Sequence, residues 1–120
     1  MNSTIACNGK GGIKVVIADQ SSDPCVRDCV EIHEEVHRDE AIAFNPQVCA
    51  RRPDDTLIMA LPHIGAPSEI RASLAEIQCY LRKLAGLPDC HSCRPKIEQA
   101  IGDAYDYMEK NRERARRFPN

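Results

Sequence analysis

Tryptophan is absent from this 120-residue chain, and aromatic residues make up only 4% of it. Large rings therefore cannot fill the interior, and a core must rest on Leu, Ile, Val and Ala. No apolar run approaches the roughly 20 residues of a membrane-spanning helix, so no membrane span is expected. The opening residues, MNSTIACNGKGG, hold no apolar signal-peptide core. Neither sign of charge dominates: 16 Lys and Arg stand against 18 Asp and Glu, for a net charge of -2. That balance gives no reason to expect a nucleic-acid partner. Internal repeats and low-complexity tracts are also missing. The length suits one domain. Residues 1–12 read as a flexible N-terminal lead and 13–120 as a single domain.

Cysteine, by contrast, is plentiful, at seven residues: Cys7, Cys25, Cys29, Cys49, Cys79, Cys90 and Cys93. Scattered spacing without a second C-x-x-C favours disulfides over a zinc ribbon. The odd count leaves one thiol over, and Cys7, in the loose lead, is the natural candidate. The expected pairings are Cys79 with Cys25 or Cys29, and Cys90 or Cys93 with Cys49 or a near neighbour.

Ile13–Ala18 is short, rich in β-branched residues and preceded by Gly11-Gly12, so it reads as a strand. Asp23-Pro24 has the form of a helix start, with Asp23 as N-cap, and the first helix should run to about Glu40. Four prolines between residues 41 and 67 predict mostly loop there, with Leu57–Leu61 as a possible second strand. A second helix is expected from about Ser68 to Ala85 and a third from about Pro95 to Arg116. Ile97, Ala100, Ile101, Ala104, Tyr105 and Met108 share the apolar face of the third helix. Its basic end is read as a solvated helix C-terminus. The fold class is mainly α with a small β component (α+β).

The chemistry lies in the first helix. His33-Glu34-Glu35-Val36-His37 is H-E-x-x-H. Residues four apart on a helix sit about 40° apart around the axis, one turn along, so both imidazoles can reach one ion. Glu34 lies about 100° on from His33, which places its carboxylate beside the open side of that ion. Zinc lowers the pKa of a bound water toward neutral, and the glutamate takes the proton as the water attacks a carbonyl. His33 and His37 also continue the stripe begun by Val26, Cys29 and Val30, which marks a buried face. Glu31, Glu35, Asp39 and Glu40 read as a solvated acidic face.

A catalytic zinc needs a third protein ligand, and His63, Glu69, Glu76 and His91 are the available donors. On the second helix Ile70, Leu74, Ile77, Leu81 and Leu84 form a large apolar stripe. Ser68, Ala72, Ala75 and Cys79 form an opposite stripe of small residues, edged by Glu69 and Glu76, against which another helix can approach closely. Between antiparallel helices, a Cys25–Cys79 bridge brings Glu69 level with the histidines. A Cys29–Cys79 bridge leaves Glu69 and Glu76 about equally placed.

The run Cys25-x-x-x-Cys29-x-x-x-His33-Glu34-x-x-His37, followed by Ser68-Glu69-x-x-Ala72-x-x-x-Glu76-x-x-Cys79, resembles small cysteine-rich bacterial zincin domains. Such H-E-x-x-H metallopeptidase toxins stand at the ends of secreted effectors, including type VI secretion effectors. The resemblance implies a minimal zincin-like domain of about three helices, with the H-E-x-x-H helix packed on the second. It further implies a zinc cofactor, hydrolysis of a protein or peptide substrate with Glu34 as general base, and Glu69 as third ligand, with Glu76 the alternative. Action in the periplasm of a target bacterium and a cognate immunity protein as partner also follow from it.

Two other classes remain open at this point. One is a structural or inactive zinc module using His33, His37 and Cys29. The other is a disulfide-stapled interaction protein without metal.

Overall fold

A computed structural model describes residues 3–58 and 62–117, with the backbone alone for 62–64. In chain order the elements are β1 (Thr4–Cys7), β2 (Ile13–Val16), α1 (Arg27–Phe44), α2 (Pro62–Ala85) and α3 (Cys93–Arg117), with a single 3-10 turn at Asp19–Ser21. The fold is mainly α with a small β component.

Residues 1–12 are not a loose lead where they are described. Thr4–Cys7 pairs antiparallel with Ile13–Val16, Ile5 opposite Val15 and Cys7 opposite Ile13. The connection is residues 8–12, which open with Asn8-Gly9 and close with the Asn8 N–H donating to Gly12 O. Asn8 Oδ1 accepts from the N–H groups of Lys10 and Gly12. Gly9 has φ +77, and a Cβ there would lie 3.2 Å from Asp54. The loop after α1 folds onto β1: Cys7 N–H donates to Thr56 O, and Asp55 N–H to Cys7 O. Of the expected strand at Leu57–Leu61, Leu57 makes one isolated bridge to Ala6, and residues 59–61 lie outside the described residues.

Asp23 does begin the turn that enters α1. Its Oδ1 accepts from Cys25 N–H at 2.8 Å, and its carbonyl accepts from Val26 and Arg27. Regular helix starts at Arg27 and extends one turn past Glu40, to Phe44. α2 begins at Pro62, earlier than expected. Pro67 lies inside its second turn, where it removes one backbone hydrogen bond and its ring crowds the carbonyl four residues earlier.

The three helices run alternately up and down, with α2 in the middle. One face of α2 meets α1, while Ile70, Ser73, Ile77 and Tyr80 line its other packed side. Ile77, Ala104 and Met108 form one buried cluster there, and Cys29, Cys79, Tyr80 and Ile97 the other. Leu74 and Leu81, expected on a buried stripe, are 48% and 53% exposed, since α3 covers the neighbouring flank of α2 instead. Tyr105 points outward for the same reason, on a side of α3 that no described element covers.

Three disulfides fix this arrangement: Cys7–Cys49, Cys25–Cys93 and Cys29–Cys79. Cys79 pairs with Cys29, one of its two expected partners. The other pairings differ from expectation. Cys7 is buried in β1 and bonded to Cys49, and the free thiol is the exposed Cys90. Cys93 opens α3 and reaches Cys25 at the mouth of α1, because these two parallel helices start at the same end. The C-x-x-C of Cys90 and Cys93 is therefore not a redox pair.

Candidate metal centre

α1 and α2 are antiparallel, stapled by Cys29–Cys79. Moving from the bridge along α1, His33 and then His37 face α2 residues of decreasing number: Glu76, Glu69 and Ser68. Small residues make the close approach possible. Ala72 is wholly buried between Glu69 and Glu76 on this face.

His33, His37 and Glu69 come together, with one candidate ligand atom from each lying within 4.8 Å of the others. His33 Nε2 is 3.4 Å from Glu69 Oε1, and His37 Nε2 is in contact with the same oxygen. His37 Nε2 is buried and has no partner other than that oxygen among the described residues. Two imidazole nitrogens converging on one carboxylate oxygen form a donor set that fits a metal ion.

Each of the three has its other end held. His33 Nδ1 lies 2.7 Å from Glu76 Oε1, and Tyr80 donates to Glu76 Oε2 at 2.8 Å. A carboxylate only accepts, so His33 carries a proton on Nδ1 and turns Nε2 to Glu69. His37 Nδ1 lies 2.8 Å from Ser68 Oγ. The Tyr107 hydroxyl, from α3, donates to Glu69 Oε2, which leaves Oε1 facing the two rings. Partners of this kind fix the tautomer and aim of metal-binding histidines.

The electrostatics follow from this crowding. Burial opposes a charged ring at His33, but Glu69 and Glu76 outweigh it and lift the group to about 10. At Glu69 burial opposes ionisation, and the two histidines overcome it, holding the carboxyl at about 2. Glu34 is different. Its burial dominates the opposing pull of His33 and His37 and raises it to about 7. The Glu34 side chain is 8% exposed, with Oε2 4.0 Å from His33 Nε2, so it sits more deeply than a purely open-side position implies.

Other sequence candidates fall elsewhere. Glu76 meets the far nitrogen of His33, away from the oxygen of Glu69 that both rings share. Glu40 is not part of a solvated face; it binds Ser68 and Arg71. Glu31, Glu35 and Asp39 do remain on the surface, paired with Arg27 or Arg38. His91 accepts from Cys93 N–H at the start of α3, and no described contact joins it to the cluster. The His63 side chain is outside the described residues. Asp28, Cys29 and Cys79 also cluster, but both sulfurs are spent in the disulfide.

Three partners escaped the sequence reading. Tyr80 lies four residues past Glu76, a helical spacing that flags it in retrospect, and Ser68 opens the stripe of small residues on α2. Tyr107 had no such signal, since only the docking of α3 brings it to Glu69. Comparison with known protein families, curated proteins and solved structures finds no match to this chain.

Proposed function

We propose that the chain is a zinc-dependent metallopeptidase, with His33, His37 and Glu69 holding the ion and Glu34 acting as general base. The observation that carries this is the convergence of His33 Nε2, His37 Nε2 and Glu69 Oε1 while the far side of each residue is engaged. Three protein ligands leave a position open, as catalysis requires. When bound, zinc supplies a Lewis acid for the scissile carbonyl and a water acidic enough to be deprotonated near neutral pH. Glu34 would accept that proton and return it to the leaving amine. In the metal-free protein burial raises the Glu34 carboxyl to about 7. Glu76 and Ser68 hold the rings; Tyr107 holds the carboxylate.

Three disulfides favour an oxidising compartment. Together with the likeness to cysteine-rich zincin toxins, they support a secreted effector acting in the periplasm of a target bacterium. Its substrate is then a protein or peptide, and an immunity protein is its natural partner. The structural-zinc alternative loses its proposed cysteine ligand, because Cys29 is bonded to Cys79. A metal-free interaction protein keeps one supporting observation: His33 between Glu69 and Glu76 already forms an ion cluster.

The experiment is peptide hydrolysis by wild type and Glu34→Gln at matched zinc occupancy. The metallopeptidase reading expects activity in the first and near-total loss in the second. Equal rates, or no hydrolysis of any peptide or protein pool by zinc-loaded wild type, count against it.

A further inference from the structure

His37 differs from His33 at Nδ1, which meets a hydroxyl in place of a carboxylate. Ser68 Oγ lies 2.8 Å from that nitrogen and 2.6 Å from Glu40 Oε2. Arg71 forks onto the same carboxylate, Nε to Oε1 at 2.5 Å and Nη2 to Oε2 at 3.1 Å. A carboxylate so paired is ionised and can only accept. Ser68 has one proton, and the contact with Glu40 uses it. The Ser68 oxygen must then accept from His37, so His37 carries its proton on Nδ1 and its lone pair on Nε2.

The relay decides between two tautomers. An Nε2–H ring would point its proton at Glu69, which is favourable by itself. It would also set the bare Nδ1 against an oxygen with no proton left to give. Glu40 tips the balance by claiming the Ser68 proton.

We propose that Glu40, acting through Ser68, is a positioning residue that holds His37 in the Nδ1–H tautomer, with Nε2 free to bind the metal. This rests on reading His33, His37 and Glu69 as a metal centre. Glu40 stands one turn past His37 on α1 and reaches it only by way of α2, so the relay also ties the two helices together at the site.

Two readouts test it. Imidazole ¹⁵N shifts of the metal-free protein above neutral pH report the His37 tautomer, and chelator competition reports zinc affinity. Wild type is expected to show Nδ1–H at His37. Ser68→Ala and Glu40→Ala are each expected to shift the ring toward Nε2–H and to weaken zinc binding about 10–100-fold. Because the two act in series, the double variant should fall within about threefold of Ser68→Ala alone. Glu40→Gln retains an oxygen that can accept from Ser68 and should restore most of the affinity. Glu40 is part-exposed, so the Glu40 variants carry the test if Ser68→Ala fails to fold. An unchanged tautomer or an unchanged zinc affinity in Glu40→Ala overturns the relay. If wild type binds no zinc at all, the metallopeptidase reading falls, while the tautomer measurement still judges the relay by itself.

Discussion

Two adjacent residues of α1 have opposite protonation problems. His33 is drawn toward the charged form by Glu69 and Glu76, whereas Glu34 is drawn toward the neutral form by burial. In metal-free protein the His33 pKa is raised from 6.5 to about 10. Its stabilising charge is therefore fully present below pH 6.5 and is lost as pH rises through about 10. Zinc needs the Nε2 lone pair, so uptake at neutral pH must expel that proton, and affinity must climb with pH over the same window. Titration calorimetry in buffers of different ionisation enthalpy should register proton release on zinc binding at pH 7. Uptake without released protons contradicts this account of His33. For Glu34, replacement by Gln should cost about 10²–10⁴ in the rate of hydrolysis. Zinc content should be unchanged, since Glu34 is not among the converging ligands.

At the scale of elements, the cysteine bridges have separate jobs. Cys29–Cys79 clamps the two helices that carry the donors, while Cys7–Cys49 clamps the hairpin to the loop after α1. Either closes a loop long enough for about 4 kcal/mol of stabilisation in the chain-entropy picture. Replacing both members of one bridge with Ala should thus lower unfolding free energy similarly in the two cases. Zinc affinity should drop sharply only without Cys29–Cys79; equal losses of affinity would refute the division. Side-chain truncation separates the faces of the helices. Met108→Ala should cost about 2–5 kcal/mol, while Leu74→Ala should stay within about 0.5–1 kcal/mol, as judged by urea unfolding. The sequence reading put Leu74 on a buried stripe because apolar spacing marks a favourable face without naming what covers it. The same limit applied to Tyr107. H-E-x-x-H was legible because all its geometry is local to one helix. The hairpin was legible in principle from Asn8-Gly9, but the charged and glycine-rich turn masked it.

The whole molecule is long and thin, 49 × 35 × 23 Å, with a radius of gyration of 15.4 Å. A chain of this length packed as a sphere-like domain would have about 13.6 Å. The excess follows from long helices in a shallow array, which leaves a core rich in Ala and Cys with few large side chains. Disulfides compensate for such a core. Their connectivity was only partly readable, since pairing depends on which helix ends meet: Cys25 and Cys93 are joined because α1 and α3 start together. One of the bridges, Cys29–Cys79, joins the two antiparallel helices in the register that brings His33, His37 and Glu69 to a point. A crystal structure of the oxidised chain with zinc, with anomalous data collected at the zinc edge, examines that point directly. The account predicts one anomalous peak per chain, bonded to Nε2 of His33, Nε2 of His37 and a Glu69 oxygen. A peak on Glu76 in place of Glu69, a peak elsewhere, or none in excess zinc would contradict it.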